Sequence, residues 1–249
     1  MFLVHRDGIK LDGTNPTYLY GYGGFNVNMT PYFSRTLTFW YDQGGIYAVP
    51  NLRGGGEYGK EWHEAGMLER KQNTFDDFIA AAEFLIREGY TSPEKLCASG
   101  GSNGGLLTGA VLVQRPDLFG AVVCAVPLLD MVRYHLFLIA RLWIPEYGSS
   151  EDPDQFRFIY DYSPYHHVTP GTAYPATLFE AAESDGRVDP CHARKMAARV
   201  QAATSSDKPI LVRIESKAGH GQGKPVSKQI EEITEEWAFV FRALGVRVH

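Results

Sequence analysis

A serine at position 102 lies within the stretch SGGSNGGLL (99–107), where four of nine residues are glycine. Gly100-Gly101-Ser102-Asn103-Gly104 has the form G-x-S-x-G. It follows the apolar run LCAS (96–99) and opens the apolar run LLTGAVLV (106–113). A strand, a sharp turn and a helix in that order make a nucleophile elbow, in which the serine hydroxyl is held above the sheet by a strained turn. Side chains two residues away on either side would collide, which accounts for glycine at 100 and 104. The elbow also sets the Asn103 N–H and the positive helix end beside the hydroxyl, where anionic charge would develop. The competing reading is a glycine-rich turn with an incidental serine.

A serine hydroxyl needs a base, and the base needs an orienting carboxylate. In an elbow fold these follow as Ser…Asp/Glu…His, on loops past later strands. Past the apolar run 177–182 comes Glu183-Ser184-Asp185-Gly186-Arg187, and past 210–216 comes Lys217-Ala218-Gly219-His220-Gly221. His220, between two glycines on a loop, is the candidate base. Asp185 and Glu183 both remain candidates for the carboxylate. His192, His166, His167, His63 and His135 fall in helical or Tyr/Pro-rich contexts and read as structural or solvated, and His5 and His249 sit near the termini.

Elements that could position these groups alternate along the chain. Candidate strands are Phe2–Val4, Thr17–Gly21, Gly45–Pro50, Leu96–Ser99, Ala121–Val126, Thr177–Ala182 and Ile210–Ser216. Several are continuous apolar runs, as in strands covered on both faces. Candidate helices are Thr74–Glu88, with Thr74 as N-cap, then Gly104–Gln114, Pro190–Ala203 and Ser227–Leu244. The alternation predicts an α/β chain with a mostly parallel sheet and helices on both faces, entered through a hairpin-like start. The 249 residues read as a single domain.

Composition narrows the class of function. The net charge of −5 offers no basic excess for nucleic acid or an anionic membrane surface. No apolar run nears the roughly 18 residues of a membrane span, and the first residues carry charges where a secretory signal would be apolar. Three cysteines without metal-type spacing read as buried reduced thiols, consistent with a cytoplasmic protein. No metal or organic cofactor is implied. Arg53-Gly54-Gly55-Gly56 lacks the Gly-Lys-Ser/Thr ending of a phosphate loop and reads as structural.

Across nearly its whole length the chain resembles the catalytic domain of the prolyl oligopeptidase family, serine peptidases with an α/β-hydrolase fold. The resemblance rests on YGYGGFN (20–26), NLRGGGEYG (51–59), KQNTFDDF (71–78), GGSNGGLL (100–107), RPDLFG (115–120) and KAGHGQGKP (217–225). It implies Ser102 as nucleophile, His220 as general base and Asp185 as its carboxylate. It also implies an oxyanion hole from the Tyr22 phenol and the Asn103 N–H. Phe25, Trp143, Tyr147 and Val188 would form a pocket for a proline ring, and Arg187 would bond a substrate carbonyl. Gly186 stands where the family has a second acid, Asp189 where an apolar residue is usual, and Glu180 within an apolar strand; these bear on specificity.

The resemblance further implies a β-propeller gating the site and an N-terminal segment, neither present in these residues. The expectations are therefore an open site and apolar surfaces that associate into a homo-oligomer. Peptides cut after proline are the family's substrates; short-chain carboxylic esters are the alternative, and a non-catalytic assembly module is the reading of another class.

Overall fold

The computed structural model describes residues 1–216, 219 and 225–248. Along the described chain run β1 (Phe2–Val4), β2 (Thr17–Tyr20), α1 (Arg35–Asp42), β3 (Ile46–Val49), α2 (Lys60–Glu64), α3 (Gln72–Arg87), β4 (Leu96–Gly101) and α4 (Asn103–Gln114). There follow β5 (Ala121–Ala125), α5 (Ile144–Tyr147), α6 (Pro153–Tyr162), β6 (Ala176–Ala182), α7 (Cys191–Ala203), β7 (Ile210–Glu215) and α8 (Val226–Leu244). The strands form one sheet in the order β1-β3-β2-β4-β5-β6-β7, parallel throughout except for β1. This is the expected α/β architecture with one correction. β1 is antiparallel, but to β3 rather than to its neighbour in sequence, so the start is not a simple hairpin.

Side chains alternate across the sheet with the period of a strand. Leu19, Ala48, Ala98, Val122 and Phe179 enter the larger core with α3, α4 and α7. Tyr18, Tyr47, Cys97, Val123 and Leu178 enter the opposite core. There Trp40 of α1 stacks on Trp237 of α8, ring centroids 5.1 Å apart. α4 is buried on almost all sides, hence its nearly unbroken apolar sequence. β7 is an edge strand, so Leu211 and Val212 are 45% and 42% exposed despite its apolar run. Among the described residues no helix is long and apolar enough to cross a membrane.

α3 starts at Gln72, two residues before Thr74, which is not its N-cap. The buried Thr74 hydroxyl donates instead to the Arg53 carbonyl at 2.6 Å. The Arg53 side chain in turn grips Asp77 through Nε and Nη2. The arginine–glycine loop is thus pinned to α3 by its own arginine.

The elbow depends on a close backbone approach. A Cβ at Gly104 would lie 2.4 Å from the Gly21 carbonyl oxygen, and one at Gly100 would lie 2.7 Å from the same oxygen and 2.4 Å from the Gly104 carbonyl oxygen. Backbone cannot yield as a flexible side chain would. Gly104→Ala should therefore destabilise the fold by about 1–3 kcal/mol. Gly186→Ala, where an added Cβ meets nothing within 4 Å, should stay within about 0.5 kcal/mol. Urea denaturation of both variants checks the contrast.

Candidate active site

Ser102 joins β4 to α4 with φ 58° and ψ −115°, a conformation that costs a non-glycine residue backbone strain. Hydrogen bonds on both sides hold it there. Its N–H donates to the Ala125 carbonyl at 2.9 Å, and its carbonyl accepts from Gly105 and Leu106 at 2.9 and 3.1 Å. The same stitching continues across the carboxyl edge of the sheet. Val126 N–H donates to the Glu180 carbonyl at 2.7 Å, and Glu183 N–H to the Glu215 carbonyl at 2.9 Å. The ends of β4, β5, β6 and β7 are thus joined, and the turns after β4 and β6 carry Ser102 and Asp185.

Asp185 is buried, and its Oδ1 accepts the N–H groups of Arg187 at 2.8 Å and Val188 at 3.0 Å. Glu183, the other carboxylate the sequence left open, is exposed. His220 lies outside the described residues. Gly219, which precedes it, is described: a Cβ there would stand 4.0 Å from the Ser184 carbonyl oxygen, against the loop of Asp185.

Of the competing histidines, His192 is buried in α7, where its Nδ1 accepts the N–H groups of Leu129 and Asp130 at 3.2 and 3.1 Å. His167 Nε2 bonds the Tyr160 carbonyl, and His135 is buried near Glu151. His63 pairs with Glu146, and His166 Nδ1 lies 2.8 Å from Ser163 Oγ.

A cavity of about 340 Å³ opens beside Ser102, lined also by Tyr22, Phe25, Trp143, Tyr147 and Arg187. Val27, Leu128 and Leu142 complete the lining. They escape the sequence reading because isolated aliphatic residues in loops carry no pattern. Val188 is buried in the larger core and is not among the lining residues. Asp189 does not line the cavity either; its Oδ1 accepts the Cys191 N–H at 2.8 Å at the start of α7. Glu180 is buried within β6. Cys97 and Cys124 are buried free thiols, whereas Cys191 is only half-buried.

One side chain organises the polar end of this cavity. Asn103 is buried, its Nδ2 donates to the Tyr22 carbonyl at 2.5 Å, and its Oδ1 accepts from the Tyr147 hydroxyl at 2.8 Å. Its backbone stands at the N-terminus of α4, where N–H groups lack partners within the helix. The Tyr147 ring meets Phe25 edge-on at 5.5 Å. Burial pushes the Tyr22 phenol above its ordinary value; the Arg187 guanidinium pulls it down and the Glu146 carboxylate pushes it up. Tyr22 therefore keeps its proton at neutral pH and can donate it. Glu146 and Lys71, both buried behind this loop, were not foreseen as site residues. The one signal for Glu146 is its being the lone acidic residue in the aromatic segment RLWIPEYG.

A mostly parallel sheet with a strained serine between strand and helix, and a buried acid on a later loop, is the architecture of an α/β hydrolase. The chain belongs to the prolyl oligopeptidase family, whose profile matches residues 31–247. It is 46% identical over 248 residues to the prolyl endopeptidase of Elizabethkingia meningoseptica, covering 99% of this chain and 35% of that one. A chain solved in a structural and mechanistic analysis of two prolyl endopeptidases superposes with a TM-score of 0.97 at 58% identity, over 98% of this chain and 36% of that one. Prolyl oligopeptidase B from Galerina marginata, solved as a histidine-to-alanine mutant with a 35mer hydrolysis and macrocyclization substrate, gives 0.95 at 42% identity, over 99% and 35%. The chain spans about a third of the length of the curated relatives it matches.

His192 makes the acid stability of this site's scaffold predictable. Burial lowers its pKa to about 4 from 6.5, and its two N–H partners require an unprotonated Nδ1. Between pH 6.5 and 4 the unfolded chain binds this proton and the folded chain does not, so stability falls as pH falls, by about 3 kcal/mol in total. His192→Gln should lack this component in urea titrations at the two pH values.

Proposed function

We propose that the chain is a serine hydrolase acting by acyl transfer, with peptides cut after proline as its substrates. Ser102 Oγ attacks the carbonyl, and His220 takes the hydroxyl proton and later returns it to the leaving group. Asp185 holds the imidazole. Tyr22 and the Asn103 N–H donate to the oxyanion, and water then releases the acyl group. The observation that carries this reading is the strained serine opening onto a cavity walled by Phe25, Trp143 and Tyr147. A proline ring is flat, apolar and without an N–H, so an aromatic slot selects it by shape and stacking. Arg187, exposed at the rim, supplies a donor for a substrate carbonyl.

Fluorophosphonate should label the wild-type protein and not Ser102→Ala; an unlabelled wild type favours the non-catalytic module. Trp143→Ala should cost a Gly-Pro-linked chromogenic amide about thirtyfold in kcat/KM and a short-chain p-nitrophenyl ester far less. Equal losses would argue against stacking on proline, and preferred turnover of the ester would favour the esterase reading. Tyr22→Phe should lower kcat by about a hundredfold on both substrates.

The proposal extends to association of copies. The groove lined by Phe39, Ile233, Trp237, Phe241 and Val248 is apolar and open, which suits a homo-oligomer. Light scattering at micromolar concentration should give a mass above that of one chain; a monomer would count against it.

A further inference from the structure

The loop after β2 adopts left-handed backbone at three positions, Gly23, Phe25 and Asn26, with φ of 64°, 55° and 57°. Such a run persists only where its surroundings over-determine it. Three buried side chains grip it. Asn103 holds the Tyr22 carbonyl. Lys71 Nζ donates to the Gly23 carbonyl at 2.8 Å. Glu146 Oε1 accepts the Phe25 N–H at 2.8 Å, while its Oε2 accepts from His63 Nε2 at 2.8 Å. Lys71 is 1% exposed and Glu146 5%. A buried ammonium and a buried carboxylate therefore clamp the two ends of the segment that carries Tyr22 and Phe25.

Glu146 also precedes Tyr147 in α5, so the clamp reaches the aromatic wall on the far side of the cavity. The Lys71 ammonium lies 5.7 Å from the Tyr147 ring centroid.

We propose that Glu146 is a positioning residue for hydrolysis: its carboxylate, seated between the Phe25 amide and the His63 imidazole and balanced by the Lys71 ammonium, holds residues 22–25 in the shape that aims the Tyr22 hydroxyl at the oxyanion. This rests on the serine hydrolase reading above. Two elements far apart in sequence, the residue before α3 and the short α5, thereby act on one donor.

The charges give the clamp a signature that packing alone does not have. Burial lowers the Lys71 pKa to about 8 from 10.5, and Glu146 opposes that fall. The other titratable or charged groups around this pair are His63, Tyr22, Tyr134, Tyr147, Tyr162 and Arg187. Burial raises all four tyrosines above their ordinary value, so they stay protonated near pH 8. As pH rises through about 8, Lys71 becomes neutral, its bond to Gly23 weakens and Glu146 loses its balancing charge. Turnover should fall over that range. Stability on account of Lys71 should rise there, because the unfolded chain holds this proton up to its ordinary pKa. Activity and stability thus move in opposite directions.

The test measures kcat and KM for the Gly-Pro amide from pH 6 to 10 in the full-length protein, with circular dichroism at each pH. Wild type should show an alkaline limb in kcat. Glu146→Gln should lower kcat about tenfold with KM held within about threefold, and should move the limb to lower pH. Lys71→Met should abolish the limb; should that variant not fold, Lys71→Arg, which keeps its charge throughout, should abolish it as well. Variants with wild-type kcat and an unmoved limb would overturn the proposal. So would a loss of kcat with the limb unmoved, the mark of a packing defect. A wild type that neither labels with fluorophosphonate nor turns over would sink the hydrolase reading, and this proposal with it.

Discussion

The Gly21 carbonyl oxygen occupies the space that a Cβ at either elbow glycine would need. That contact is the constraint on which the rest of the site depends. It brings the loop after β2 against the first turn of α4, so the elbow strains the serine and also seats the neighbouring loop. The sheet fixes the register: Tyr20 pairs with Ser99, and Gly21 N–H donates to the Ser99 carbonyl at 3.0 Å. Tyr22 is two residues beyond that pair and Ser102 three. A one-residue slip between β2 and β4 would turn every side chain to the other face, and with it separate the phenol from the serine.

Much of this was legible in the sequence because central parallel strands are covered on both faces. Ala121–Ala125 reads as an unbroken apolar run and Ala176–Ala182 as an apolar run interrupted by Thr177 and Glu180, and both lie within a residue of where they are expected. The elements that escaped are those whose burial is partial. α1 buries only Leu37 and Trp40, and α6 only Ile159 and Tyr162, too few to make a stripe. Thr74 looked like a cap because a hydroxyl before an apolar periodicity normally bonds the helix's own N–H. It bonds Arg53 instead, a partner set by tertiary structure.

The site divides along the same line. Ser102 was legible because its glycines and flanking apolar runs are local. The pattern favours Asp185 while leaving Glu183 open, and the family resemblance adds to that preference; in the fold Asp185 is buried with fixed N–H partners while Glu183 is exposed. Lys71 and Glu146 were not legible. In sequence a lysine before KQNTFDDF's aspartates and a glutamate before a tyrosine carry no pattern that marks them as buried. Only the close packing of α5 against the segment before α3 buries them. Asn103 was foreseen for its backbone N–H. That its side chain also links Tyr22 to Tyr147 depends on two loops that meet only in the folded chain.

Burial of Lys71 and Glu146 is hard to explain as a device for stability. Each ion loses hydration worth several kcal/mol, and well-packed apolar residues of similar volume often do as well or better. What apolar residues cannot do is bond a carbonyl and an amide that the left-handed run at 23–26 turns away from regular pairing. Gly23 needs a donor for its buried carbonyl and the partly buried Phe25 an acceptor for its N–H, and an unpaired backbone group removed from water is costly. A cation and an anion meet those two needs with the strongest bonds available, and each offsets the other's burial. The charges are therefore best understood as the cost of the loop's shape, a shape that puts Tyr22 in the wall of the cavity beside Ser102.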